Sequence, residues 1–198
     1  MGALRREGFL VALGTVLALG GCIFTPREPD GPPEGDTTNW ETPITTLIVL
    51  QNLRASMADE NPTNYRECFT EDYAFHVYPQ DSLDAGQEAE DRYADWTRDD
   101  EEHAASRIFG GAAEITVNFS TVLQPDEAQM ETCRQEDYTL TVAWESGGHV
   151  NEEITYRGRA SLWMRKNDSG RWAIFRWVDR RSVVANSTWG TVRGEYRY

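Results

Sequence analysis

Residues 65 to 79 read Y-R-E-C-F-T-E-D-Y-A-F-H-V-Y-P, and two structural grammars meet inside them. Thr63 to Phe69 suits a short helix whose end is marked by Thr70-Glu71-Asp72. Tyr73 to Tyr78 then reads as a strand, closed by Pro79, which has no amide to give to a ladder. Helical spacing precedes this point and strand alternation dominates after it.

Upstream, Thr42-Pro43 looks like an N-cap followed by proline at the first helical position. The helix continues through I-T-T-L-I-V-L-Q-N-L-R-A-S-M-A, with Ile44, Leu47, Ile48, Leu50, Leu53 and Met57 as its apolar stripe, and Asn61-Pro62 stops it. Residues 80 to 95 are acidic and irregular. Thr97 with Asp100 predicts a capping box, a third helix to about Phe109, and a left-handed end at Gly110-Gly111.

Downstream the period becomes two. Ile115 to Leu123 alternate, as do Tyr138 to Trp144 and Tyr156 to Arg165; Asn167-Asp168-Ser169-Gly170 then turns the chain into W-A-I-F-R-W-V-D. Gly158 and Ala160 on an inward face allow close approach or a sharp bend. Helices followed by long hairpin-linked strands define an α+β domain, with helices on one side of a bent antiparallel sheet.

The segments P-I-T-T-L-I-V-L-Q-N-L, Y-R-E-C-F-T-E-D-Y-A-F-H-V-Y-P and G-R-W-A-I-F-R-W-V-D, in this order and spacing, resemble the nuclear transport factor 2-like superfamily. This is the cystatin-like cone fold of scytalone dehydratase, ketosteroid isomerase and SnoaL-type cyclases. The resemblance covers residues 43 to 181, and the closing S-T-W-G-T-V-R-G looks like the tail of uncharacterised bacterial lipoproteins of this superfamily. It implies a strongly curved sheet enclosing a cone, on a fold that hosts enzymes, binders and scaffolds alike.

Before the domain, Arg5 and Arg6 precede an apolar run from Phe9 to Gly21, about half of the roughly 20 residues a membrane span needs. Leu19-Gly20-Gly21-Cys22 resembles the bacterial lipobox. The expected organisation is therefore a signal peptide over residues 1–21, then an acylated Cys22 with a Pro/Gly-rich tether over 22–41. The domain follows at 42–181 and a tail at 182–198. More than one acyl chain gives durable anchoring, so membrane is an expected partner through lipid. Ile23, where an aspartate would signal inner-membrane retention, favours the outer membrane of a cell envelope.

The net charge is −14, and residues 22–102 hold 20 acids against 5 bases, whereas residues 103–198 hold 12 of each. Nucleic acid is not an expected partner, because phosphate contacts need clustered Lys and Arg. The arginines of the last strands, Arg157, Arg159, Arg165, Arg176, Arg180 and Arg181, read as complements to the acidic half. With Cys22 acylated, Cys68 and Cys133 either form one disulfide or remain two buried thiols.

No P-loop, G-x-G-x-x-G, H-E-x-x-H, G-x-S-x-G or paired C-x-x-C occurs, and no cofactor or metal is implied. Asp99 and His103 share a helix face without a third ligand. The catalytic candidates are His76 on the first strand and Asp179 near the end of the last. Against them stand an outward strand histidine and an aspartate salt-bridged by Arg180 and Arg181. Phe75, Trp96, Trp144 and Trp177 are candidates to line a pocket for an apolar ligand. Trp163, beside Arg157, Arg159 and Arg165, is an outward aromatic and an interface candidate.

Two readings follow. One is a non-catalytic, membrane-anchored module binding a small apolar ligand or a protein partner, with homodimerisation through the open sheet face as a variant. The other is an isomerase, dehydratase or cyclase using His76 or Asp179 within the cone.

Overall fold

The computed structural model describes residues 39–78, 92–182 and 187–197. The signal peptide, Cys22 and almost all of the expected tether lie outside the described residues. Among these, no helix is long and apolar enough to cross a membrane.

The elements are α1 (Thr46–Ala58), α2 (Pro62–Glu67), β1 (Phe69–Val77), α3 (Arg98–Phe109), β2 (Ala112–Leu123), β3 (Glu131–Ser146), β4 (His149–Lys166), β5 (Trp172–Arg181) and α4 (Trp189–Glu195). They form the expected α+β fold. The five strands make one sheet in the order β1-β5-β4-β3-β2, antiparallel except for the parallel β1–β5 pair. Register shifts interrupt every pairing, including those at Trp144/Glu145 and Trp163/Met164. Extra residues of this kind bend a strand and sharpen its twist, which curves the sheet around the helices.

α1 begins three residues later than its sequence signals suggest. Thr45, not Thr42, is the N-cap, because the Pro43 carbonyl is held by the Trp172 amide at 2.8 Å. The Glu127 carboxylate also reaches in from the β2–β3 connection to accept from the Thr46 amide at 2.7 Å. The buried stripe is correspondingly Val49, Leu50, Leu53 and Met57, while Ile44 and Leu47 are exposed. β1 starts at Phe69, four residues before its predicted start. The Thr97–Asp100 capping box forms as expected, but the helix it opens ends at a right-handed Gly110 with φ of −68°.

Both ends of the expected domain move outward. Trp40 packs against the core, and the Glu41 amide and carbonyl bond the Asn52 side chain at 2.9 and 2.7 Å, so these two residues belong to the domain and not to a tether. The segment expected as a tail carries α4, whose Trp189, Val192 and Arg193 are buried. A helix that hides a tryptophan and an arginine is part of the core.

Candidate functional site

The interior of the curved sheet is where this architecture would hold a ligand, and it contains three buried carboxylates; Glu136 on β3 pairs with Arg134 at 2.5 Å, and the other two meet the last helix. Glu101 comes from the first turn of α3, on the same face as Ala104, Ala105 and Ile108. Asp179 comes from the inward register of β5. Both are buried to 1% exposure or less.

Each of these two carboxylates is committed to α4 (Trp189–Glu195). Asp179 accepts from the Tyr138 hydroxyl at 2.9 Å and from the Gly190 amide at 2.6 Å. That hydroxyl in turn accepts from the Trp189 amide at 2.7 Å. The orphan amides at the start of α4 thus end on one carboxylate and one phenol. Glu101 accepts from the Tyr65 hydroxyl at 2.5 Å, the Tyr73 hydroxyl at 3.2 Å and the Trp96 indole at 2.9 Å. It also faces Arg193 Nε at 3.0 Å.

That last contact is an ion pair rather than an aligned hydrogen bond, since Nε and Nη1 of Arg193 both lack an acceptor in hydrogen-bonding geometry. The Arg193 Nη2 donates to the Tyr65 hydroxyl at 3.1 Å, and the rest of the guanidinium is held by rings and by charge. It lies 3.9 Å from the Trp177 ring centroid, 4.6 Å from Phe75 and 5.2 Å from Trp189. Stacking of this kind is worth about 2 kcal/mol when desolvated.

Titration follows from this burial. Desolvation pushes Asp179 above the usual carboxylate range, opposed by Arg193, the Gly190 amide, Tyr138 and Thr188. Burial works against the charge on Arg193, yet Glu101 foremost, then Tyr65, Tyr73 and Asp179, hold its pKa up. Tyr65 and Tyr138 are driven well above the ordinary phenol range, chiefly by burial.

Among the described residues, a void of about 10 Å³ is bordered by Met57, Tyr138, Trp177 and Trp189, at the lower limit for one water. Phe75, Trp96 and Trp177, expected to line a pocket, are buried against α4 and α3. Trp144 is half-buried and stacks on Tyr196 at 5.4 Å and 7° between planes. An opening of about 570 Å³ lies between the N-terminus of α1 and the β4–β5 turn. Three of the four cations that line it are engaged, Arg98 by Glu67 and the Arg66 carbonyl, Arg165 by Asp72, and Lys166 by the Glu127 carbonyl.

The other sequence candidates scatter. His76 is exposed on the outer side of β1, its pKa lowered by partial burial and then by Arg176. Arg180 alternates to the outer side of β5, away from Asp179, whose carboxylate turns inward onto Tyr138 and the Gly190 amide. Asp99 pairs with Arg66, His103 is exposed, and no group of three metal-ligating side chains exists among the described residues. Cys68 and Cys133 are free thiols, the first buried beside α1 and the second half-buried on β3, which is the second of the two alternatives with Cys133 only partly buried. Trp163 is 39% exposed on the outer face, as its register suggested.

No protein-family model matches the sequence, and no curated protein matches it. Solved structures do. A nuclear transport factor 2-like superfamily protein from Salmonella enterica serovar Typhimurium is 12% identical, with a TM-score of 0.50 over 69% of this chain and 89% of that one. This chain has the nuclear transport factor 2-like fold. A conserved protein from Planctomyces limnophilus is 12% identical with a TM-score of 0.53, over 66% of this chain and 88% of its own. A Novosphingobium aromaticivorans protein assigned as a scytalone dehydratase is 13% identical with a TM-score of 0.53, over 72% and 89%. At such identities the likeness concerns the nuclear transport factor 2-like backbone alone.

Within that backbone, the residues that organise the interior are Glu101, Tyr65, Tyr138, Trp189 and Arg193, and sequence reading passed over all five. The spacing of Glu101 with Ala104, Ala105 and Ile108 was the available signal. It was masked by the acidic run Asp99-Asp100-Glu101-Glu102, which reads as a charged helix start.

Proposed function

We propose that the protein is a non-catalytic binding module of nuclear transport factor 2-like fold, held at the cell envelope by acyl chains on Cys22. The observation that carries the non-catalytic part is the filled interior. Trp189 and Arg193 occupy the space a substrate would need, and the carboxylates of Asp179 and Glu101 hold α4 in place. Of the two binding roles foreseen, the filled cone favours a protein partner over an enclosed small ligand.

The isomerase or dehydratase alternative keeps one supporting feature, the contact of Asp179 with the Tyr138 hydroxyl. An acid of raised pKa beside a phenol suits proton transfer. That role would require α4 to leave.

The two are separated by titrating the protein with the apolar fluorophore ANS. The wild type is expected to show no saturable binding, whereas Trp189→Ala, with the slot partly vacated, binds. Saturable binding to the wild type would overturn the filled-cone reading. Anchoring is tested separately by labelled palmitate. Incorporation into the wild type and none into Cys22→Ser supports it, and unlabelled wild type refutes it.

A further inference from the structure

The outer face of the sheet carries a charge pattern that the rest of the molecule does not explain. On an acidic chain with 33 carboxylate residues against 19 Lys and Arg, most buried or half-buried arginines have a carboxylate partner. Arg159 is bidentate on Asp137 at 2.6 and 2.9 Å, and Arg165 reaches Asp72 at 2.7 Å. Arg176 and Arg180 on β5 have no carboxylate within ion-pair distance among the described residues. The expectation that the strand arginines complement the acidic half holds for Arg165 and fails for these two.

Register makes their placement costly. Arg180 sits directly opposite Arg159 on β4, a like-charge cross-strand pair of the kind that destabilises a sheet. Arg180 leans on the Tyr78 ring at 5.5 Å. Trp163 lies between Cys133 on one neighbouring strand and Arg176 on the other. Together these side chains border a groove of about 290 Å³. Its floor between the two cations is Val178, and its wall is the exposed indole.

From this arrangement we infer that the outer sheet face docks an extended acidic segment of a protein partner, with carboxylates on Arg176 and Arg180 and an apolar side chain against Trp163 and Val178. Four residues of strand separate the two guanidinium groups by about 13 Å, so an extended peptide with acids at positions i and i+4 matches them. Arg159, already neutralised by Asp137, flanks the site without demanding a third acid. A second copy is the less suited occupant, because a two-fold contact brings this cationic patch onto an identical cationic patch and supplies no acidic partner from it. The inference rests on the binding-module reading, and names its surface and the chemistry of its partner.

The test uses the full-length chain in non-ionic detergent and a fluorescein-labelled ten-residue peptide bearing Glu at i and i+4 with Leu between, read by anisotropy. Saturable binding at low ionic strength is expected, weakening as salt is raised. Arg176→Gln/Arg180→Gln should lose at least about tenfold in affinity, since both charge-assisted contacts are removed. Trp163→Ser should also weaken binding, and Arg171→Gln, on the β4–β5 turn, should not. Unchanged melting temperatures check that these exposed positions have not unfolded the chain. The inference is overturned by absence of saturable binding at low salt, by equal binding to the double variant, or by equal binding of a Lys peptide or an oligonucleotide of the same charge. A wild-type dimer that becomes monomeric in Trp163→Ser would also overturn it, assigning the face to a second copy. None of these results bears on ANS binding, so failure here and failure of the filled cone are distinguishable.

Discussion

Arg193 and Asp179 show how single side chains decide the character of the interior. Replacing Arg193 by Met leaves Glu101 buried without its cation, and loss of one partner from a buried pair costs about 3–5 kcal/mol; urea unfolding should show that loss. Asp179 has a raised folded pKa, so the native protein holds this proton more tightly than the unfolded chain does. Its contribution is present below the ordinary carboxylate pKa and is lost as pH rises through the folded value. The stability of the wild type relative to Asp179→Asn should therefore decline as pH rises above the ordinary carboxylate range, as read from paired urea midpoints. Gly158 is a third such residue. A Cβ there would meet the Tyr138 hydroxyl at 2.5 Å and the Arg180 carbonyl at 2.9 Å. Gly158→Ala should cost about 1–3 kcal/mol through overpacking and disturb the phenol that bonds Asp179. Residue-scale reading of the sequence found Asp179 and the inward Gly158. It missed their partners because Tyr138 and Gly190 are distant in the chain from Asp179 and meet it only through packing.

Among the elements, α4 has the largest effect for its length. Its seven residues bury Trp189 against Tyr65, Phe75 and Trp177, and truncating that indole to Ala should cost about 3–5 kcal/mol, measurable by the same urea series. The sequence discloses the other elements more readily, because their signals are local. The capping box at Thr97 and Asp100, the turn before Trp172 and the period-two runs of β2 to β4 depend on neighbours in the chain. The start of α1 is set instead by Glu127, 81 residues away from Thr46, and no nearby residue announces it. A helix of two turns with glycines at positions 190 and 194 has weak intrinsic propensity, so W-G-T-V-R-G reads as a tail until its tertiary partners are seen.

For the molecule as a whole, charge and topology are the governing quantities. The excess of acids places self-repulsion on the folded state, and the exposed ion pairs offset little of it. Raising sodium chloride from low to about half-molar should therefore increase the melting temperature by scanning calorimetry; a decrease would mean that surface pairs outweigh the repulsion. The fold class was legible because helices precede strands along the chain. The occupancy of the cone was not, because it depends on whether one short segment reaches inward. The Arg193 guanidinium bonds the Tyr65 hydroxyl across 128 positions and the Trp189 indole does so across 124. Such distant closures come late in folding. The sheet and first three helices can therefore assemble around an unsealed greasy slot, and during that interval the protein is at its most adhesive, so chaperone dependence should track how quickly residues 187–197 arrive.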